Sequence, residues 1–320
     1  MIQEKTLKNN LPLTLKENKF KNNKIKNIAI YDKYIEFNFK KANKILECGQ
    51  DLWFQLKENT QTFEQKLKLK SMFTCKDRFC PFCNWRRQMK YSKMIYNHLQ
   101  DLQQDKKLRY IFLTLTVKNC HIDNLRETIT DMSKSFQRMK QTVKWKNSIL
   151  GFLRVLEYTI QKDNQDMIHP HFHILLVVEP SYFNSRYNKY LKQSDFSSMW
   201  QKALRVDYVP SVDIRIIKPN KDKKADVAVI SEMCKYPLKD TDISRLSVSN
   251  FEKLTQELKG IRNINAGGVL KNILKSVDKI DDDLIKIDNE NDELWRVLRD
   301  NILYSFENRN GNLNYYKGVN

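Results

Sequence analysis

The sequence predicts an α+β fold in which an antiparallel sheet is flanked by helices. Three observations carry that expectation. Four segments read as strands, two of them joined by a short polar loop. Longer stretches between them repeat apolar residues at helical spacing. Gly and Pro, seven each in 320 residues, are too few for a fibrous or linker-rich chain. The length suits one large domain or two modest ones.

Residues 1–45 are rich in Lys and Asn and read as a basic N-terminal arm, its first 25 or so residues mobile. Its apolar islands, Ile28-Ala29-Ile30 and Tyr34-Ile35-Glu36-Phe37, are short. Residues 46–103 hold four of the six cysteines and then a helix. From Asn84 to Leu102, Trp85, Met89, Met94, Tyr96, Leu99 and Leu102 recur at helical spacing. Arg86, Arg87 and Lys90 crowd the start of that helix and are candidate DNA contacts. Arg109 to Val117 alternates as a strand, with Phe112, Thr114 and Thr116 on one side. Residues 123–147 read as a long helix. Gly151–Ile160 and Ile168–Val178 are strands joined by the polar loop Gln161–Asp166, hence an antiparallel hairpin. Residues 184–206 read as helical and Ser211–Ile217 as a strand. A helix from Ala225 to Lys235 stops near Pro237. Helices near 249–262 and 269–287 lead into a C-terminal helical region, 266–320, whose stretch Asp278–Glu293 is acidic.

Composition narrows the function. Apolar residues make up 41% of the chain, and 5 Trp, 16 Phe and 14 Tyr supply a core, which excludes a disordered protein. There is no run of about 18 apolar residues and no apolar secretory signal, so a cytoplasmic protein without a membrane partner is expected. The net charge of +19 points to a polyanion. A Lys- and Asn-rich composition accounts for part of that charge. Without a basic amphipathic helix bearing a clean apolar face, the rest favours nucleic acid over a membrane surface.

Two constellations carry chemistry. His171 and His173 lie at i and i+2, so on a strand both point to one face while Phe172 points to the other. Side-by-side neutral imidazoles suit a divalent metal. If the hairpin loop is symmetric, Glu157 opposes His171 and Val155 opposes His173. Opposed residues share a face, which makes Glu157 the candidate third ligand. A slip of one residue would turn it away. His169 has the same parity, but Pro170 marks the entry of the strand, which leaves His169 as a weaker candidate ligand. Two His and a carboxylate also suit non-haem iron, which expects an oxygenase scaffold that the basic charge does not suggest. Tyr236 could attack a phosphorus atom whose oxygens such a metal polarises. Glu232, four residues earlier, shares its helical face and could activate a releasing water; Lys239 follows at i+3. Cys234 is the alternative nucleophile.

The second constellation is Cys75-x4-Cys80-Pro-Phe-Cys83. Such clustering in an intracellular protein favours metal over disulfide. Cys48 or His98 could complete a closed structural zinc site, and four thiolates are the usual set. Cys120 and Cys234 read as ordinary buried thiols.

These segments resemble the replication initiator proteins of small rolling-circle plasmids, a branch of the HUH endonucleases. The resemblance rests on Leu46-Glu47-Cys48-Gly49, the cysteine knuckle with Trp85-Arg86-Arg87, and Phe112-Leu113-Thr114-Leu115-Thr116-Val117-x-Asn119. It continues through Glu157, Pro170-His171-Phe172-His173, Trp200-x2-Ala203-Leu204-x2-Asp207-Tyr208 and Lys235-Tyr236-Pro237-x-Lys239-Asp240-Thr241-Asp242. It covers about residues 45 to 275. It implies an HUH endonuclease core over 104–265 built on a five-stranded antiparallel sheet, and Mg²⁺ or Mn²⁺ at the two histidines. It further implies that Tyr236 nicks one strand at the plasmid double-strand origin in a prokaryotic cytoplasm. The freed 3′-OH then primes synthesis, with host helicase and polymerase as partners. Many HUH proteins use two tyrosines; in this branch a glutamate at the place of Glu232 releases the enzyme with water. Two other readings compete. A non-catalytic, zinc-dependent DNA-binding regulator explains the charge and the cysteines but not the histidines. A mobilisation relaxase or transposase would share the chemistry and differ in its DNA.

Overall fold

A computed structural model of the chain describes residues 15, 18–105, 107–217, 243, 245–277, 279, 283–285 and 294–318. The chain divides into two compact units, Met1–Arg87 with Asp281–Asn320, and Gln88–Ile280.

In the first unit, helices α1 (Asn18–Ile35) and α2 (Phe39–Glu47) precede strands β1 (Asp51–Asn59) and β2 (Gln65–Met72). Helix α3 (Pro81–Asp105) starts here, after the cysteine knuckle. The two strands β9 (Trp295–Arg309) and β10 (Asn312–Lys317) return from the far end of the sequence. The sheet runs β10-β9-β1-β2, antiparallel throughout. Alternating Leu52, Phe54 and Leu56 bury one face of β1, and Tyr304, Phe306 and Tyr315 continue that face. Phe20 of α1 meets the Phe54 ring edge-on at 5.8 Å and Trp85 at 5.1 Å.

Two expectations change here. The segment read as a basic arm is helical from residue 18, because Phe20, Ile30, Tyr34, Ala42 and Ile45 all have buried positions to fill. The C-terminal region read as helical ends in two strands, because its apolar residues near the end recur every second position, as Ile302, Tyr304 and Phe306.

The second unit holds β3 (Arg109–Thr116), β4 (Cys120–His121), α4 (Leu125–Lys140), α5 (Val143–Ser148), β5 (Gly151–Ile160), β6 (Met167–Val178), α6 (Gln193–Leu204) and β7 (Val212–Ile217). It closes with α7 (Val248–Glu257), β8 (Ile264–Gly268) and α8 (Ile273–Val277). The antiparallel sheet runs β7-β3-β6-β5-β8, and β4 adds a short pairing to β6. The expected large antiparallel sheet flanked by helices is therefore present, with five strands along its main path. The helix read over 123–147 is broken: α4 stops at Lys140, and Thr142 accepts a hydrogen bond from Trp145 N to start α5. The helix read over 184–206 begins only at Gln193, after two 3-10 turns. Of the expected 269–287 helix only α8 forms among the described residues. The expected 225–235 helix lies outside the described residues.

The two faces of this sheet bury different things. Under α4 and α6 lie Phe172 and Phe152, with Phe136 and Trp200 packed on them. On the other face, Leu153, Val155, Leu175 and Val177 pack against Ile95 and Leu99 of α3 and Leu270 and Ile273. That core occupies the end of the face toward Val177. Polar side chains occupy the end toward the β5–β6 hairpin.

Candidate functional site

The β5–β6 register pairs Glu157 with His171, Val155 with His173 and Ile160 with Ile168. The symmetric loop thus brings Glu157 to the face of both histidines. Gln161 N donates to Met167 O at 2.9 Å, which makes the odd-numbered pairs of the ladder the hydrogen-bonded ones. Pro170 lies inside β6, not at its start. Its ring nitrogen is directed away from β5, toward the interval after β3 ends at Thr116 and before β4 begins at Cys120. A central strand tolerates proline there because no ladder bond is lost.

Glu157 Oε2 lies 2.8 Å from His173 Nε2 and 3.7 Å from His171 Nε2. One ligand atom from each of the three lies within 4.8 Å of the others, so the group could hold a metal ion. The imidazoles are oriented from behind. His171 Nδ1 sits 3.3 Å from the His169 carbonyl, which can only accept, so Nδ1 carries the proton and Nε2 presents its lone pair when the ring is neutral. His173 Nδ1 meets Thr114 Oγ1 at 3.2 Å, and the Phe112 ring stacks on its imidazole at 5.3 Å. Burial pushes the Glu157 carboxyl up, but hydrogen bonds and positive charge from His171 and His173 outweigh it and hold the group at about 2. Thr114 and Phe112 belong to the strand motif, yet their part in orienting His173 emerges only from the β3–β6 register.

In the first unit, Cys48, Cys75, Cys80 and Cys83 converge, and Cys48, not His98, completes the set. Sulfur–sulfur separations are 3.4 Å for Cys48–Cys83, 3.6 Å for Cys48–Cys80 and 3.7 Å for Cys75–Cys83. A tetrahedron with metal–sulfur bonds of about 2.3 Å has edges of about 3.8 Å, so the four thiols fit one metal ion. Thiols of Cys48, Cys75 and Cys80 directed at Cys83 pull it well below the ordinary thiol range, while burial pushes Cys80 up.

The sequence reading missed two residues that frame this cluster. Lys24 on α1 is 1% exposed, and its ammonium donates to the carbonyls of Leu46 and Cys48. Asn27 Nδ2 donates to Ile45 O and to Cys48 O, and its Oδ1 accepts from Cys80 Sγ at 3.3 Å. Both lie in the segment read as an arm, where a lysine and an asparagine among many give no signal.

The remaining site residues fall as follows. Arg86 is buried, and its guanidinium donates to the carbonyls of Leu284, at 2.9 Å, and Ile285. Arg87 donates to Asp77 O at 3.0 Å and to Asn84 Oδ1 at 2.9 Å. The structure therefore uses these arginines to hold backbone together, which corrects the expectation that Arg86 is a DNA contact: its donors are already engaged away from solvent. Lys90 is half-buried on α3. Tyr236, Glu232, Lys239 and Cys234 lie outside the described residues. No helix among the described residues is long and apolar enough to cross a membrane.

Comparison with known proteins adds a family. The family model Rep_1, described as "Replication protein", matches residues 66–316. The match runs well past residue 275, where the resemblance was read to end. A protein named "Protein rep" from Lentilactobacillus hilgardii is 34% identical over 295 residues, covering 89% of this chain and 91% of that protein. A "Protein rep" from Bacillus amyloliquefaciens is 36% identical over 279 residues, covering 80% and 79%. One from Streptococcus pneumoniae serotype 2 is 33% identical over 288 residues, covering 87% of each. No solved structure matches the chain.

Proposed function

The chain belongs to the Rep_1 family of replication proteins, and from that premise we propose that it initiates rolling-circle replication of a plasmid by nicking one DNA strand at the origin. The observation that carries this reading is the group Glu157, His171 and His173, aligned on one sheet face with ligand atoms within 4.8 Å. Bound Mg²⁺ or Mn²⁺ at that group would polarise a phosphate oxygen and stabilise the charge that develops on it. The phenol oxygen of Tyr236 bonds to phosphorus as the bond to O3′ breaks, and the phenol proton passes through solvent to the departing 3′ oxygen. The products are a 5′-phosphotyrosyl ester and a 3′-OH primer. Lys239 is assigned to the same phosphate by charge, and Glu232 to activating the water that later frees the enzyme.

Chain length supports the assignment of Tyr236. Seven residues separate it from Ile243 (243 − 236 = 7), which is buried. Just beyond, Ser247 N donates to Gln165 Oε1 at 3.2 Å and Asn250 to Asp166 Oδ1 at 2.7 Å, both in the hairpin loop. Seven residues reach up to roughly 25 Å. His171 stands four residues up the strand from Met167 (171 − 167 = 4), roughly 13 Å away. The tether therefore permits the contact. The four cysteines are assigned to structural Zn²⁺, which suits a closed thiolate site.

The test is nicking of supercoiled plasmid carrying the chain's own origin, with and without Mn²⁺. Open circles are expected only with metal and intact His171 and His173, and none from Tyr236→Phe. Nicking that persists in His171→Ala/His173→Ala refutes the metal assignment.

A further inference from the structure

Between β6 and α6 the chain holds three aromatic side chains in water. Phe183 is 37% exposed, Tyr187 59% and Tyr190 44%. They are not loose. Tyr182, on which two of them rest, is fully buried, and its hydroxyl donates to Leu191 O at 3.2 Å and accepts from Leu191 N at 3.1 Å. Phe183 and Tyr190 lean on that ring, with centroids at 5.0 and 5.5 Å. Ser148 Oγ donates to Lys189 O at 2.7 Å, and Lys189 pairs with Glu179. Asn184 accepts from Arg186 N to cap the second 3-10 turn. The backbone is thus held from several sides while the rings face solvent.

Arg186 and Lys192 stand exposed in the same segment, and among the described residues no ion pair joins Arg186 to a carboxylate. Fixed, solvated rings interleaved with cations match one partner chemistry, the bases and phosphates of a single nucleic-acid strand. Every base has a face that stacks on such a ring, whatever its identity. A protein partner would instead favour a contiguous apolar patch with few charges at its centre. The first platform ring, Phe183, lies five residues beyond the end of β6 at Val178 (183 − 178 = 5), and Val178 is five residues from His173 (178 − 173 = 5), about 17 Å of strand. It therefore lies several nucleotides from a phosphate held at the histidines.

Resting on the nicking reading above, we propose that Phe183, Tyr187 and Tyr190 form a stacking platform for bases of single-stranded DNA, with Arg186 and Lys192 supplying cations for its phosphates. The probe is a fluorescein-labelled dT12 oligonucleotide, titrated with the full chain and followed by anisotropy. Each ring removed is expected to weaken binding at least about 5-fold. Tyr187→Ala/Tyr190→Ala should then lose about 25-fold or more, while Tyr187→Phe/Tyr190→Phe binds like the unaltered chain, since only the ring is needed. Arg186→Gln should lower the slope of log affinity against log salt by about one. Circular dichroism of each variant checks that the fold is kept. If the unaltered chain nicks plasmid yet the alanine pair holds dT12 within 2-fold of it, the platform is refuted and the rings belong to a protein contact. If the unaltered chain shows ring-dependent binding but no nicking, the nicking reading fails and the platform stands.

Discussion

Replacing Gly49 by alanine probes how closely the cysteine cluster is packed. Gly49 follows Cys48 with φ of +64°, and a Cβ there would lie 2.6 Å from Phe82 Cε2. The left-handed backbone alone costs a residue with a Cβ about 1–2 kcal/mol. The ring cannot easily yield. Phe82 is fully buried between Cys80 and Cys83, with Phe20 at 6.1 Å and Trp85 at 5.6 Å. Overpacking of this kind costs about 1–3 kcal/mol. Together the two effects amount to about 2–5 kcal/mol against the first unit. Guanidinium unfolding followed by tryptophan fluorescence reads the loss, and competition with a chromogenic chelator reads zinc release. Gly49→Ala is expected to unfold at lower denaturant and to surrender zinc faster. An unfolding free energy within about 0.5 kcal/mol of the unaltered chain, with equal zinc retention, would refute the packing argument.

Three further outcomes follow from the same geometry. Thr114→Val removes the hydroxyl that orients His173, so Mn²⁺ affinity by calorimetry should fall about 10- to 100-fold with the fold intact. Lys24→Met strips the ammonium from the Leu46 and Cys48 carbonyls and should loosen zinc by a similar factor in chelator competition. Glu157 titrates near 2 in the folded protein, below the ordinary 4.5. Its ionised form therefore favours folding above pH 4.5, and that contribution disappears as the pH falls from 4.5 to 2. Denaturant curves of the metal-free protein should show the acid limb flattened over that window in Glu157→Gln.

How far the sequence was legible varied with the range of the interactions that decide each element. The hairpin and its register could be read because Ile160, the polar loop and Ile168 are local and nearly symmetric. That one inference placed Glu157 opposite His171. Strand β8 was missed: Asn265-Ala266-Gly267-Gly268 has no strand propensity of its own and is a strand only because it pairs with β5. Helix α1 reads as an arm in the sequence because Phe20, Ile30 and Tyr34 look sparse among lysines; their partners, such as Phe54, Tyr315 and Asp77, lie far along the chain. The return of β9 and β10 to pair with β1 is equally non-local. Arg86 misled because a basic helix face suggests phosphates, whereas its actual acceptors lie nearly two hundred residues away. The cysteine spacing needed no such partner, and three of the four clustered cysteines stand within nine residues of one another.

The most direct measurement is the identity of the residue left joined to DNA. The full chain is incubated with Mn²⁺ and supercoiled plasmid bearing its own origin, then digested with nuclease and trypsin and examined by mass spectrometry. A nucleotide phosphate on Tyr236, absent when His171 and His173 are both alanine, is the expected result. Efficient nicking with no protein–DNA linkage, or a linkage on any other side chain, would contradict the account.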